Sequence, residues 1–317
     1  MKIVILNECF FNKDHLARLK KIGELKIYND TTTEEQVMER LKDADIAIVD
    51  QFIAPVNKKV IGNANNLKLI ALNTTSFSAV DFNAANKRKI KVANVPGFSK
   101  QAVAELAIGL MFAVNRKIAL GDRLLRETQL ELDPGNKEHQ KFIGVDLKGK
   151  TLGVIGLGRI GTIIAQLGMG LGMNVIAYNR SPKNMKGVKM LDMKELLKTS
   201  DVVIISVPLT NDTRNFISKK ELNLMKNTAI LINIAPHEVI DKEALYEALK
   251  SNRISGAGID DAGAFKSNKE FFKLENVVLT PHCGSFTKES FFVNLPEIIV
   301  KNVESFARGK PVNIVNS

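Results

Sequence analysis

At 317 residues, 45% hydrophobic and 25% charged, the chain is too long for one ordinary core and has the balance of a two-domain globular protein, which excludes a disordered class. Its formal charge of +11 is scattered along the sequence, rarely beside an aromatic and with no Trp; this reads as a solvated surface with a mild attraction for anions, not as a nucleic-acid footprint. Cys9 and Cys283 are too few for a disulfide framework, and no run approaches the roughly 18 apolar residues of a membrane span, so a cytoplasmic location is expected.

In chain order, Lys2 to Leu6 reads as a buried first strand and not a leader, because the chain then turns acidic and Lys-rich without a small-residue cleavage site. Similar short apolar runs follow at Asp45 to Val49, Leu67 to Leu72 and Ile90 to Val95. Such runs fit strands buried on both faces, and the intervening stretch Thr33 to Lys42, with Val37, Met38 and Leu41, has helical spacing. This alternation predicts a mainly parallel sheet. It breaks at Asn94-Val95-Pro96-Gly97, after which Lys100 to Arg116 is expected to form an amphipathic helix with Val103, Leu106, Ala107 and Leu110 on one stripe.

Beyond a polar stretch holding Pro134-Gly135, a second alternation begins at Lys148. Its apolar runs are Leu152 to Ile155, Val175 to Tyr178, Val202 to Val207, Ala229 to Ile234, Gly256 to Ile259 and Val277 to Leu279. Six runs separated by helical segments predict one doubly wound sheet. From about Phe291 the chain reads as a helix carrying Leu295, Ile298, Ile299 and Val303, and it can cross back to the first domain.

A glycine pattern stands at the head of this second series: Gly156-Leu157-Gly158-Arg159-Ile160-Gly161. Alone it is a weak signal, but Leu152 to Ile155 feeds it as a strand, and Ile160, Ile163, Ile164 and Leu167 continue it at helical spacing. Gly156 permits the tight turn, Gly158 lets the backbone approach a pyrophosphate, and Gly161 lets helix and strand pack closely. The helix N-terminus then offers N–H groups to the phosphates. About twenty residues further on, a NAD site places an Asp or Glu to accept from the ribose hydroxyls. Here the sequence is Asn179-Arg180-Ser181. Asn179 has no charge to repel a 2′-phosphate, Arg180 can clamp one and Ser181 can donate to it, which favours NADP over NAD. The alternative is a neutral residue tolerated in a NAD site, with Arg180 stacked on the adenine.

With these motifs the sequence resembles the D-isomer-specific 2-hydroxyacid dehydrogenases, on the glycerate dehydrogenase and hydroxypyruvate reductase side. The resemblance runs through Thr74-Thr75-Ser76-Phe77 with Val80-Asp81, Asn94-Val95-Pro96-Gly97, Ala102-Val103-Ala104-Glu105, the glycine turn, Val207-Pro208-Leu209-Thr210, Leu231-Ile232-Asn233 and Leu279-Thr280-Pro281-His282. It implies an α/β protein with a flavodoxin-like substrate domain from residues 1–97 and 290–317. A Rossmann-type coenzyme domain over 98–289, an active site between the two and a homodimer are implied with it. It also implies that Arg159 and Ile160 touch the pyrophosphate, that Val207, Ile234 and Asp260 line the nicotinamide end, and that Pro208, Thr213 and Gly284 belong to the same cofactor site. The backbone at Ser76 and Phe77 would hold the substrate carboxylate.

Interconverting a 2-hydroxy and a 2-oxo acid demands a proton carrier, a cation for the carboxylate and carbonyl, and a carboxylate to hold the proton carrier. The family meets these with His, Arg and Glu. His282 matches the first, since a histidine can take and return a proton near neutral pH. The arginine belongs where this chain has Pro236, followed by His237, and the glutamate is missing from the loop Asp260-Asp261-Ala262-Gly263-Ala264-Phe265. His237, Lys100 and Asp261 are the conceivable substitutes. His15, His139, His237 and His282 show no metal-ligand spacing. A Cys283–His282 hydrolase pair is disfavoured because adjacent side chains in extended backbone point apart. Two functions therefore remain open. One is an oxidoreductase moving hydride between NAD(P) and a small 2-oxo or 2-hydroxy acid; the other is a cofactor-binding dimer that has lost the chemistry and serves as a sensor or partner-binding protein.

Overall fold

Alternate residues of the first apolar run enter opposite cores, Ile3 and Ile5 one cluster and Val4 and Leu6 another, as a strand covered on both faces requires. The computed structural model describes residues 1–7, 9–128 and 137–316, so the stretch with Pro134 and Gly135 lies outside the described residues. The chain divides into two compact units, Met1–Ser99 with Phe286–Ser317, and Lys100–Ser285.

The first unit alternates β1 (Lys2–Ile5), α1 (Lys13–Ile22), β2 (Glu24–Ile27), α2 (Glu34–Leu41), β3 (Ile46–Val49), α3 (Lys58–Asn63), β4 (Leu69–Leu72), α4 (Phe82–Lys87) and β5 (Lys91–Ala93). All strand pairs are parallel, in the order β2-β1-β3-β4-β5, the flavodoxin-like arrangement. The apolar pattern does not announce β2. It is an edge strand whose Glu24, Lys26 and Ile27 are exposed, so it lacks the apolar run that marks its neighbours.

The second unit opens with α5 (Lys100–Asn115) and α6 (Ile118–Thr128) and continues through β6 (Thr151–Ile155), α7 (Arg159–Gly170), β7 (Asn174–Tyr178), β8 (Lys189–Met190), α8 (Met193–Thr199), β9 (Val202–Ile205), α9 (Lys219–Leu222), β10 (Ile230–Asn233), α10 (Lys242–Lys250), β11 (Gly256–Asp260) and β12 (Val277–Thr280). The order β12-β11-β10-β9-β6-β7-β8 is a doubly wound Rossmann sheet whose direction of winding reverses between β6 and β9. It has seven strands where the sequence shows six runs, because the two-residue edge strand β8 is too short to register as one. The last helix, α11 (Leu295–Ala307), returns to the first unit. Leu295, Ile299, Val300 and Val303 pack with Ile3, Ile5 and Leu19, and Arg18 clasps Glu297 at 2.6 Å and Glu304 at 2.9 Å.

The two sheets share a fastening. Asp45, just before β3, accepts the Lys2 N–H at 2.8 Å and pairs with Lys68 at 2.7 Å; Asp201, just before β9, accepts the Thr151 N–H at 2.8 Å and pairs with Lys226 at 2.8 Å. Burial pushes both carboxyls up, and the lysine and backbone hydrogen bonds outweigh it, so both are held below the ordinary aspartate value. A depressed folded value adds stability above the unfolded aspartate value of about 3.9, and that stability is lost as pH falls through the folded value. Asp201→Asn is expected to remove about 1–2 kcal/mol at pH 7 and to flatten the loss of stability below about pH 4 in urea unfolding at stepped pH. An unchanged acid slope would show that the fastening is not coupled to folding.

Candidate active site

The turn between β6 and α7 is shaped by what a side chain would strike. Gly156 has φ of 95°, and a Cβ there would lie 2.8 Å from both the Ser206 carbonyl oxygen and Val207 Cγ1. A Cβ on Gly161 would collide with the Gly156 carbonyl oxygen, so the helix can lie this close to the strand only with glycine. Gly158 differs: it is exposed, and a Cβ there would meet nothing within 4 Å. It is also the N-cap of α7 and provides no side-chain cap, whereas α8 and α10 are closed by Asp192 and Asp241. Open space beside uncapped N–H groups fits a dinucleotide pyrophosphate, with Arg159 exposed and Ile160 half-buried in the first turn.

At the end of β7, Asn179 braces this turn from inside. Its Oδ1 accepts the Leu157 N–H at 3.1 Å and its Nδ2 donates to the Ser181 carbonyl at 2.8 Å. Arg180 reaches Asp212 at 3.0 Å, both side chains being about three-quarters exposed, and Lys183 donates to the Leu157 carbonyl at 2.5 Å. The sequence singles out Asn179, Arg180 and Ser181 but not Lys183 or Asp212, whose proximity depends on how the loops after β7 and β9 fold. Val207 and Ile234 are half-buried just past β9 and β10. The Pro208 carbonyl accepts from Thr213 Oγ1 at 2.7 Å, which closes the loop between them.

The strand order places β10, β11 and β12 side by side, and their C-terminal ends carry the remaining residues. Asp260, the last residue of β11, is 6% exposed. Its Oδ1 accepts from Thr280 Oγ1 at 2.7 Å and the Cys283 N–H at 2.8 Å, and its Oδ2 accepts the Gly284 N–H at 2.9 Å. A Cβ on Gly284 would sit 2.6 Å from that oxygen. Both Asp260 oxygens thus fasten the loop around His282, which has φ of 58° in the left-handed region and a side chain 71% exposed.

Asp261 faces the other way. Its Oδ2 lies 2.8 Å from His237 Nδ1 and its Oδ1 3.6 Å from His282 Nδ1. Pro236 stands at the start of the short turn His237–Val239, with φ of −52°, and supplies no charge. Lys100 begins α5 with an exposed side chain. In the first unit, the Ser76 N–H is taken by Thr74 Oγ1 at 3.3 Å, and Phe77, 41% exposed, stacks on Phe82 at 5.3 Å.

A doubly wound sheet, a glycine turn that leaves room for a pyrophosphate and a histidine–carboxylate group at the strand ends define a nicotinamide-dependent oxidoreductase. Residues 108–284 match the family of the D-isomer specific 2-hydroxyacid dehydrogenase NAD-binding domain. The chain belongs to the D-isomer-specific 2-hydroxyacid dehydrogenase family. It is 38% identical to a glyoxylate reductase from Thermococcus litoralis over 95% of this chain and 93% of that one. It is 36% identical to a D-3-phosphoglycerate dehydrogenase from Archaeoglobus fulgidus, over 100% of this chain and 59% of that one. Among solved structures, an acyclic imino acid reductase in complex with NADPH and D-Arg is similar, with a TM-score of 0.86, 35% identity and coverage of 99% and 100%. The reaction class is hydride transfer between a nicotinamide dinucleotide and a 2-oxo or 2-hydroxy acid. The alternative of a fold that has lost its chemistry is not favoured by these relatives. No helix among the described residues is long and apolar enough to cross a membrane.

Proposed function

We propose that this chain is a cytoplasmic, homodimeric reductase of small 2-oxo acids, glyoxylate foremost, that prefers NADPH. The observation that carries the proposal is His282, an exposed imidazole held in a left-handed turn by Asp260 and facing Asp261 through Nδ1. Gly156, Gly158, Arg159, Ile160 and Gly161 would hold the pyrophosphate. Val207, Pro208, Thr213, Ile234 and Gly284 would serve the cofactor site toward the nicotinamide, and Ser76 and Phe77 the substrate carboxylate, as the resemblance implies. The bound dihydronicotinamide supplies the hydride. With Nδ1 turned to Asp261, His282 uses Nε2: as imidazolium it gives that proton to the carbonyl oxygen, ends neutral and is reprotonated from solvent, and oxidation runs in reverse. Exposed Ile118, Leu125, Ile143 and Val145 in the second unit support a dimer joined through that unit.

The preference for NADPH rests on Arg180. An exposed ion pair such as Arg180–Asp212 contributes at most about 1 kcal/mol, whereas a charge-assisted hydrogen bond contributes about 1.5–3 kcal/mol, so the guanidinium exchanges readily onto a 2′-phosphate. Fluorescence titration is expected to show Arg180→Ala weakening NADPH about tenfold, near 1.4 kcal/mol, with NADH little changed. Equal losses for both cofactors would remove the 2′-phosphate assignment. Turnover is tested by following NADPH oxidation with glyoxylate, hydroxypyruvate and pyruvate, each with and without ammonium. Brisk glyoxylate reduction supports the proposal. Turnover only with ammonium would identify an imine as the substrate, in keeping with the similarity to an acyclic imino acid reductase. Background rates throughout would restore the reading of a binding protein without chemistry.

A further inference from the structure

The chain lacks its family's arginine and glutamate, yet the ends of β10, β11 and β12 bring together three groups able to do their work. His237 follows β10, Asp261 follows β11 and His282 follows β12, and these strands are neighbours in the sheet. Asp261 divides its oxygens between the imidazoles, 2.8 Å to His237 Nδ1 and 3.6 Å to His282 Nδ1. The side chains are graded outward: Asp261 is 19% exposed, His237 26% and His282 71%. Burial pushes the Asp261 carboxyl up, and the His237 hydrogen bond with the charges of His282 and His237 outweighs it, holding the group below its ordinary value. An ionised carboxylate only accepts. His237 Nδ1, at hydrogen-bond distance, must therefore be N–H, which fixes that ring's tautomer and leaves its Nε2 to exchange protons, while His282 Nδ1 faces the same carboxylate from beyond hydrogen-bond distance. Glu238 Oε2 also lies 3.5 Å from His237 Nδ1, and Arg214, Asp241, Lys242 and Glu243 line the cavity beside His237.

We propose that His237, Asp261 and His282 form one array in which Asp261 is a positioning residue for both imidazoles. His282 remains the proton carrier, and His237, as imidazolium, orients the 2-oxo acid in place of the missing arginine. The 3.6 Å separation at His282 is longer than a hydrogen bond, and the array requires it to shorten when substrate binds. Asp261 and Glu238 face His237 Nδ1, and His282, Arg214 and Lys242 are the basic groups nearby.

This array rests on the reductase reading above, so its test includes a readout that needs no turnover. Nitrogen-15 NMR of the histidines in the intact protein is expected to show Nδ1–H tautomers for His237 and His282. Asp261→Asn should release both rings toward the Nε2–H tautomer and leave the His15 signals unmoved. In kinetics, Asp261→Asn should cut kcat about a hundredfold with NADPH binding intact, and Asp261→Glu should recover much of it. His237→Asn should raise the oxo-acid KM about tenfold more than it lowers kcat. Tautomers unmoved by Asp261→Asn, or Nδ1 bare on His282 in the wild-type protein, would overturn the array. Absent turnover with both tautomers responding to Asp261→Asn would sink the reductase reading and leave the array standing. If Asp261→Asn does not fold, the wild-type tautomers and Asp261→Glu decide the question.

Discussion

His282→Ala is expected to lower kcat for 2-oxo acid reduction by about 10²- to 10⁴-fold, the usual contribution of a positioned general acid. Its effect on stability should be small. The imidazole is 71% exposed and reaches Asp261 only at 3.6 Å, so truncation opens no cavity and orphans no buried donor; surface changes of this kind stay within about 0.5 kcal/mol. Cofactor binding should be unchanged, because the turn proposed to receive the pyrophosphate is built from β6, α7 and Asn179. The informative comparison is steady-state rate against thermal unfolding on the same sample. A rate within about threefold of wild type would remove His282 from the chemistry and direct attention to another proton donor.

The dinucleotide half of this picture is legible in the sequence because its requirements are local. Three glycines, a preceding apolar run and a following helical stripe lie in one short stretch from Leu152 to Leu167; Gly156 and Gly161 are demanded by close neighbours, while Gly158 borders open space. The buried strands are legible for the same reason, while the edge strands β2 and β8 are not: an edge keeps one side in water and needs no apolar run. That Pro236 stands where the resemblance places an arginine can also be read directly. What could stand in for it is narrowed by the sequence only to His237, Lys100 and Asp261. His237, Asp261 and His282 meet only because β11 lies between β10 and β12 in a register that sets Asp260 beside Thr280 and Asn233 beside Ile259. Sequence spacing carries neither the strand order nor that register. The different surroundings of Asp260 and Asp261 are hidden in the same way, since two adjacent aspartates look alike until the fold buries Asp260 at the end of β11 and turns Asp261, just past it, toward the histidines.

That difference sets the second large effect. Asp260→Ala is expected to destabilise the protein by about 3–5 kcal/mol, because three donors to one buried carboxylate, Thr280 Oγ1 and the N–H groups of Cys283 and Gly284, lose their acceptor together. At about 2–4 °C per kcal/mol for a unit of this size, the melting temperature should fall by about 6–20 °C. Asp260→Asn is the sharper probe. Its oxygen can still accept from Thr280 and Cys283, but its amide nitrogen would meet the Gly284 N–H donor to donor, a single mismatch of about 1–3 kcal/mol. Either change also frees the loop that holds His282 at φ of 58°, so kcat should fall with the melting temperature. Asp261→Asn should do the opposite, losing rate while melting near the wild-type temperature. Calorimetry and initial rates on the two asparagine variants therefore separate the brace from the positioning residue. If Asp260→Asn melts like wild type and turns over normally, the left-handed turn at His282 is held by something other than the carboxylate beneath it.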